Sequence, residues 1–148
     1  MASQAPYVLV ADDDPNAIFL LQYAFSTVAP HLPVVYTLDG RQALEYLLKR
    51  RASDPPGELP ALMLLDLKMP QLSGFELLEI FAQNPNIRPA CVAVFSCSGQ
   101  PEDRSQADKL GANYYFVKPI ALQELLEVCR EIVALCPPAQ PQSAEAST

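Results

Sequence analysis

The sequence predicts an α/β domain in which a parallel sheet of five strands is covered by helices. Two observations lead to this prediction. Short, dense apolar runs alternate five times with segments whose apolar residues recur every three or four positions. The apolar runs are nearly continuous, which indicates strands buried on both faces of a doubly wound sheet. Alternating β and α units of this kind are joined by right-handed crossovers.

Each predicted strand is rich in aliphatic, β-branched or aromatic residues. The five strands are predicted at residues 7–11, 33–37, 61–66, 90–96 and 114–118. Because their apolar runs have few polar interruptions, we expect all five to be buried on both faces.

Helical periodicity fills the intervals between the strands. Helices are predicted at residues 15–29, 40–51, 74–84, 102–110 and 121–135. Asp14 followed by Pro15 is a favourable N-cap and first helical residue for the first of them. The residues at core spacing are Ile18, Leu21, Phe25 and Val28 in the first helix, Ala43, Leu44, Leu47 and Leu48 in the second, Leu77, Leu78 and Phe81 in the third, and Leu122, Leu125, Leu126, Cys129, Ile132 and Val133 in the fifth.

The fourth helix differs from the others because it is mostly polar. Only Ala107 and Leu110 are expected to reach the core. A helix with so narrow an apolar stripe is weakly anchored, and we expect it to be the easiest element to move.

Length and charge restrict the classes of function. A chain of 148 residues fits one domain, predicted over residues 5–135, with an exposed loop at 51–60 and a disordered Pro-rich tail over 136–148. The net charge of −7 argues against nucleic-acid binding. No apolar stretch is long enough to cross a membrane and the N-terminus lacks a signal-peptide pattern, so we expect a cytoplasmic protein that does not bind membranes. The cysteines show no metal spacing.

Polar groups follow four of the predicted strands at the points where they end. Asp12 and Asp13 follow the first strand, Asp66 ends the third, Ser96 ends the fourth and Lys118 ends the fifth. Because parallel strands present their carboxyl ends at one edge, we expect these side chains to form a single site there. Asp66 is the most informative of them, since an ionised carboxylate after five apolar residues is costly to bury without a partner.

The chemistry of these groups favours phosphoryl transfer. Three crowded carboxylates repel one another unless a cation enters, and oxygen ligands alone favour a hard ion such as Mg²⁺. Lys118 would add a fixed positive charge and Ser96 a hydroxyl donor for an incoming oxyanion. Asp66 would then be the nucleophile and form an aspartyl phosphate. A simpler interpretation of an acidic triplet before a proline is a helix N-cap, and we assign that role to Asp14.

These motifs resemble the receiver domain of bacterial two-component response regulators. The resemblance covers residues 7–135 and rests on Val-Ala-Asp-Asp-Asp-Pro at 10–15, Leu-Leu-Asp-Leu-Lys-Met-Pro at 64–70, Ser-Gly at 73–74, Phe-Ser at 95–96, Gly-Ala at 111–112 and Tyr-Phe-Val-Lys-Pro at 115–119. It implies a flavodoxin-like (βα)5 fold with strand order 2-1-3-4-5.

The resemblance also implies a role for each site residue. Asp66 is then the phosphoacceptor, and Asp12, Asp13, Asp66 and the main-chain carbonyl of Lys68 are the ligands of Mg²⁺. Ser96 and Lys118 match the family's active-site hydroxyl and lysine. Ser96 and the aromatic residue Tyr115 match its switch pair. Cys97 occupies a position where the family usually has a smaller residue, which could alter phosphoryl access.

Within the family, the 51–60 loop and the 111–119 segment are similar to those of stand-alone regulators that partner bacterial phytochromes. The implied function is a signalling switch rather than an enzyme, with at most weak self-phosphorylation and autophosphatase chemistry. Its partners would be a sensor histidine kinase or phosphotransfer protein, a downstream protein target and, through the surface of the fourth helix, fifth strand and fifth helix, a second copy of the chain.

Three other functions are alternatives to this interpretation. A degenerate receiver that only binds partners is disfavoured by the intact Asp13, Asp66 and Lys118. A phosphatase of the haloacid-dehalogenase type would carry a second aspartate where Lys68 stands. A flavodoxin would need a phosphate-binding loop after the first strand, where the acidic triplet would instead repel the FMN phosphate.

Overall fold

Five parallel strands form one sheet in the order β2-β1-β3-β4-β5, as the resemblance implied. The computed structural model describes residues 6–136. The strands are β1 (Val8–Ala11), β2 (Val34–Thr37), β3 (Leu62–Leu65), β4 (Val92–Ser96) and β5 (Tyr114–Val117). The helices are α1 (Pro15–Val28), α2 (Gly40–Ala52), α3 (Gly74–Gln83), α4 (Pro101–Lys109) and α5 (Leu122–Leu135), with a short 3₁₀ helix at Pro85–Ile87 that the periodicity did not predict.

The register of the strands brings their carboxyl ends to one edge of the sheet. Ala11 at the end of β1 pairs with Leu65 at the end of β3, and Leu65 pairs with Val94 in β4. Ser96 at the end of β4 pairs with Val117 at the end of β5. The polar residues that follow β1, β3 and β5 therefore emerge next to one another.

Side chains of the central strands alternate between two hydrophobic cores, one on each face of the sheet. Leu9, Met63 and Val94 belong to the core under α2, α3 and α4, whereas Val10 and Leu64 belong to the core under α1 and α5. β1, β3 and β4 are buried throughout, as expected for strands covered on both sides.

The two outer strands differ from the prediction of full burial. In β2 only Thr37 is buried, and in β5 Tyr114 and Val117 are exposed while the two residues between them are partly buried. Both strands lie at a sheet edge, where one side has no neighbouring strand and the covering helices give less shelter. Apolar composition alone does not distinguish an edge strand from a central one.

Most of the residues at core spacing in the helices do face inward, but two do not. Leu48 in α2 and Leu122 in α5 are 47% and 45% exposed. Leu48 belongs to the exposed part of α2, and Leu122 is the first residue of α5, one turn before Leu125, the first buried residue of that helix. Val128 and Leu135 of α5 are also partly buried against the core.

Side-chain caps define where three of the helices begin. Asp14 accepts a hydrogen bond from the backbone N–H of Asn16 at 3.0 Å, which confirms it as the N-cap of α1. Asp39 caps α2 in the same way, and Ser73 with Glu76 forms a capping box at α3. By contrast, Gln100, the residue before α4, makes no side-chain cap.

α4 is as weakly anchored as its polar sequence predicts. Ala107 is its one buried residue and Leu110, just after the helix, packs against the core only in part. The helix therefore contributes little apolar burial, and its position depends on polar contacts at its ends.

The loop after α2 is exposed but tied back to the domain. The Tyr7 hydroxyl donates to the Glu58 carbonyl at 2.7 Å, and Arg50 Nε donates to the same carbonyl at 3.0 Å.

Cys136, predicted as the first residue of the tail, is buried at the end of α5. The remainder of the predicted tail, 137–148, lies outside the described residues. Within residues 6–136, none of the helices combines the length and the apolar character needed to cross a membrane.

Candidate functional site

The end of β3 places Asp66 at the carboxyl edge of the sheet. Its backbone N–H donates to the Ala11 carbonyl at 3.0 Å, so the ladder to β1 extends as far as this residue, and the side chain is buried. Gly74 at the start of α3 lies directly against this strand end. A Cβ atom there would come within 2.4 Å of the Asp66 carbonyl oxygen, so only glycine permits α3 to start so close to the site.

Two further carboxylates lie beside Asp66. Carboxylate oxygens of Asp12, Asp13 and Asp66 all lie within 4.8 Å of one another. Asp12 is 1% exposed, whereas Asp13 is exposed to solvent. Asp14 takes no part in this group, since its side chain caps α1. The structure thus separates the acidic triplet into two site residues and one cap.

Lys118 brings a positive charge into the acidic group. Its Nζ lies 2.7 Å from Asp12 Oδ2 and 3.4 Å from Asp66 Oδ2. Burial disfavours the ammonium, but the close contact with Asp12 and the charges of Asp66 and Asp12 outweigh that effect and raise the pKa of Lys118. The lysine is therefore charged at neutral pH and offsets part of the carboxylate repulsion.

The Asp66 carboxyl remains electrostatically unsatisfied despite this lysine. Burial, opposed by the charge of Lys118 and reinforced by the charge of Asp12, raises the pKa of Asp66 to about 6. The backbone N–H of Lys68 donates only a long hydrogen bond of 3.4 Å to Asp66 Oδ1. A second cation near Asp66 would lower this pKa.

The donor set at this edge fits a hard divalent cation. Asp12 Oδ2 is buried and, among residues 6–136, accepts no hydrogen bond with good geometry, its close neighbour being the Lys118 ammonium. Among the described residues, the ligand atoms that lie close together here are three carboxylates, the oxygen-rich environment that Mg²⁺ prefers. The Lys68 side chain is exposed, so a metal role for this residue would rest on its main chain.

Ser96 and Tyr115 are linked through the loop that follows β4. Ser96 is 1% exposed, and its Oγ accepts a hydrogen bond from the backbone N–H of Ser98 at 3.2 Å. The Tyr115 hydroxyl donates to the Ser98 carbonyl at 2.7 Å. The backbone N–H of Lys118 donates to the Ser96 carbonyl at 2.8 Å, so the ends of β4 and β5 hold the serine and the lysine together. Cys97 is exposed.

The residues that the sequence assigned to the site lie at this edge, except for Tyr115, which lies within β5 and contacts the adjoining loop through its hydroxyl. Three neighbours were not predicted from the sequence. Ser98, Asp103 and Arg104 contact one another or Tyr115 around the β4–α4 loop. A Ser-x-Gln-Pro segment before an acidic helix start is a signal of a side-chain turn and could have drawn attention to Ser98.

Residues 8–130 match the model of the response regulator receiver domain. The chain belongs to this family. As a receiver domain, it is a component of two-component signalling systems of the kind found in bacteria. The comparison confirms the resemblance drawn from the strand-end motifs.

Three solved structures similar to this receiver domain are response regulators. The phosphorylated cyanobacterial phytochrome response regulator RcpA is 26% identical, with a TM-score of 0.78 over 90% of this chain and 94% of that one. The Mn²⁺-bound response regulator Rcp1 is 25% identical, with a TM-score of 0.74 over 87% and 92%. RPA3017, a response regulator in red light signalling of R. palustris, is 31% identical, with a TM-score of 0.74 over 86% and 90%.

Removal of the Asp66 charge should stabilise this receiver domain in the absence of metal. Because folding raises the pKa of Asp66 to about 6, the folded state holds the proton more tightly than the unfolded chain does. The contribution of the protonated Asp66 carboxyl to the free energy of unfolding is fully present below about pH 4, the pKa of this carboxyl in the unfolded chain, and is lost as the pH rises through 6. With a chelator present, Asp66→Asn should raise the free energy of unfolding by about 1–3 kcal/mol near pH 7.5 and hardly at all near pH 4.

Urea denaturation at the two pH values measures this difference. A loss of stability near pH 7.5, or an equal gain at both pH values, would contradict the assigned burial of an ionised Asp66.

Proposed function

We propose that this receiver domain is a stand-alone phosphorylation switch with Asp66 as its phosphoacceptor. The observation that carries the proposal is the position of the Asp66 carboxylate, buried at the sheet edge with the Lys118 ammonium 3.4 Å away. A carboxylate with a raised pKa and a neighbouring fixed cation is a poised nucleophile that can also tolerate the charge of a phosphoryl group.

The transfer step uses Asp66, Lys118 and Ser96. An Asp66 carboxylate oxygen attacks the phosphorus of a phosphohistidine, the P–N bond breaks with its electron pair moving to the imidazole nitrogen, and an acyl phosphate forms. Lys118 can shift from Asp12 towards the new oxygens, since it already lies between the two carboxylates. The Ser96 hydroxyl can donate to a phosphoryl oxygen while its own oxygen accepts from Ser98.

A divalent cation completes the charge balance in this proposal. Asp12, Asp13, Asp66 and the main-chain carbonyl of Lys68 would hold Mg²⁺, which would neutralise negative charge on the transferred group. Support comes from the buried Asp12 oxygen that lacks a good hydrogen bond, and from the Mn²⁺-bound state of the similar regulator Rcp1.

Ser96 and Tyr115 would transmit the modification to the surface. A phosphoryl group that draws Ser96 towards Asp66 also pulls on Ser98, whose carbonyl holds the Tyr115 hydroxyl. Because α4 has little buried apolar area, it is the element that such a pull displaces most easily. The output would be a changed protein-binding surface, so the domain acts as a switch rather than an enzyme.

The phosphoryl donor is proposed to be a sensor histidine kinase, specifically a bacterial phytochrome, or a phosphotransfer protein. The similar regulators RcpA and RPA3017 support this choice, since one is a phytochrome response regulator and the other functions in red light signalling. A protein rather than a nucleic acid is the proposed downstream target, in keeping with the net charge of −7. The cytoplasmic location stays a prediction.

Asp66→Asn should abolish labelling by acetyl phosphate in the presence of Mg²⁺. Asparagine has the shape of aspartate but lacks the anionic nucleophile, so a covalent phosphoryl group cannot form there. Intact-mass spectrometry or a phosphate-affinity gel measures the modified fraction. Asp108→Asn removes an exposed carboxylate from α4 and should label normally. Full labelling of the Asp66 variant at any residue would refute the assignment.

Phosphorylation should require Mg²⁺ or Mn²⁺, and Asp13→Ala should weaken metal binding by about tenfold or more. Asp14→Ala is the matched control, because Asp14 is the adjacent exposed carboxylate whose side chain caps α1. It should lower stability by about 1 kcal/mol with little effect on metal affinity. Isothermal titration with Mn²⁺ measures the two affinities. Equal losses of metal affinity in both variants would show that the triplet has been wrongly divided.

Self-association through the α4–β5–α5 surface is part of the proposal. Its support is an apolar group of exposed residues around the end of β5, namely Val117, Ile120 and Leu122, of which Ile120 is fully exposed. We expect a two-fold dimer that becomes tighter with beryllofluoride, a phosphoryl mimic, and Ile120→Ser should weaken it. Sedimentation velocity measures the dimer fraction. A monomer in both states across the micromolar range would rule the dimer out.

A further inference from the structure

Ser98, in the loop between β4 and α4, makes hydrogen bonds to three separate parts of the molecule. Its backbone N–H donates to Ser96 Oγ at 3.2 Å, and its carbonyl accepts from the Tyr115 hydroxyl at 2.7 Å. Its own Oγ donates to Asp103 Oδ2 in the first turn of α4. One loop residue therefore connects the phosphorylation site, the edge strand and the weakly anchored helix.

Arg104, the residue after Asp103, holds Tyr115 from another side. Its guanidinium carbon lies 4.7 Å from the centre of the Tyr115 ring, within the range of a cation–π contact. Two consecutive residues of α4 are thus linked to Tyr115. Arg104 contacts its ring directly, and Asp103 is connected to it through Ser98.

These contacts matter because α4 has few others. Gln100 provides no side-chain cap for the helix, and its backbone N–H donates instead to Ser98 Oγ at 3.3 Å. Ala107 is the one buried residue of the helix. The polar contacts of Asp103 and Arg104 therefore supply much of what orients the start of α4.

We propose that Asp103 and Arg104 are positioning residues that clasp Tyr115 and Ser98, so that the β4–α4 loop, the first turn of α4 and Tyr115 move as one unit. The clasp consists of the Ser98–Asp103 hydrogen bond and the Arg104–Tyr115 ring contact. Its coupling to phosphorylation rests on the proposed function, since Ser96 must supply the pull. The two contacts of the clasp are observed in the structure and do not themselves depend on that pull.

A simpler explanation of Asp103 is that its charge stabilises the start of α4 without any specific contact. Any carboxylate in the first turn of a helix is stabilised by the helix dipole. Glu102 lies in the same turn of α4, is exposed and carries the same charge. Glu102→Ala is therefore the matched control for Asp103→Ala. Asp103→Asn keeps a side-chain oxygen that can accept from Ser98 and serves as the conservative variant.

The first measurement is hydrogen exchange in the full chain without any phosphoryl mimic. Asp103→Ala should speed amide exchange across residues 97–104 by about tenfold, because a charge-assisted hydrogen bond is lost. Asp103→Asn should restore most of the protection, and Glu102→Ala should change exchange by less than about twofold. Equal effects of Asp103→Ala and Glu102→Ala would overturn the clasp and leave only the dipole.

The second measurement adds beryllofluoride and Mg²⁺. In the unsubstituted chain, exchange should change both around Asp66 and across α4. In Asp103→Ala the change around Asp66 should remain while the change across α4 falls to less than about half. A full α4 response in this variant would overturn the coupling. If beryllofluoride leaves even the unsubstituted chain unchanged at Asp66, the proposed function fails, and the first measurement still decides whether the clasp exists.

A spectroscopic test of Arg104 keeps the clasp testable even if the Asp103 variant misfolds. With fluorotyrosine incorporated, the resonance that disappears in Tyr115→Phe reports the environment of this ring. Arg104→Gln should shift and narrow that resonance as the ring gains freedom, and Arg104→Lys, which keeps a cation, should return it most of the way. An unchanged resonance in Arg104→Gln would contradict a clasp on Tyr115.

Discussion

The placement of the Lys118 ammonium between Asp12 and Asp66 is the interaction on which the rest of the site depends. A parallel sheet brings the carboxyl ends of its strands together, and in this chain that geometry forces three carboxylates within 4.8 Å of one another. Such a group is unstable without positive charge. Lys118 supplies it at 2.7 Å from one buried carboxylate and 3.4 Å from the other. The raised pKa of Asp66 shows that the balance is incomplete.

The strand that delivers this lysine is also the least buried strand of the sheet. β5 lies at the edge, and its residues are exposed or only partly buried. The same strand carries Tyr115, three residues before Lys118. Charge balance at the proposed phosphorylation site and the position of the proposed switch residue therefore depend on one short segment. A change in the contacts of Lys118 would act on a strand that has a neighbouring strand on one side alone.

The sequence was sufficient to predict the elements whose signal is local or periodic. Periodicity placed the five strands and five helices, and the polar residues at strand ends converged because parallel register requires it. Relative exposure was less predictable. The edge strands β2 and β5 have the same apolar composition as central strands, and Leu48 and Leu122 have core spacing, yet each is exposed in whole or part. Exposure depends on which elements lie next to each other, and spacing within one element does not contain that information.

Some features of the site are determined by the backbone of the strands, whereas others depend on contacts between separate segments. Asp12, Asp66, Ser96 and Lys118 could be predicted because strand ends fix them. The clasp of Ser98, Asp103 and Arg104 could not, since it forms across an irregular loop whose path no periodicity reveals. This division suits the proposed switch. Asp12, Asp66 and Ser96 follow or end the buried strands β1, β3 and β4, whereas Lys118 follows the edge strand β5 and the clasp is held by a few polar contacts that cost little to exchange.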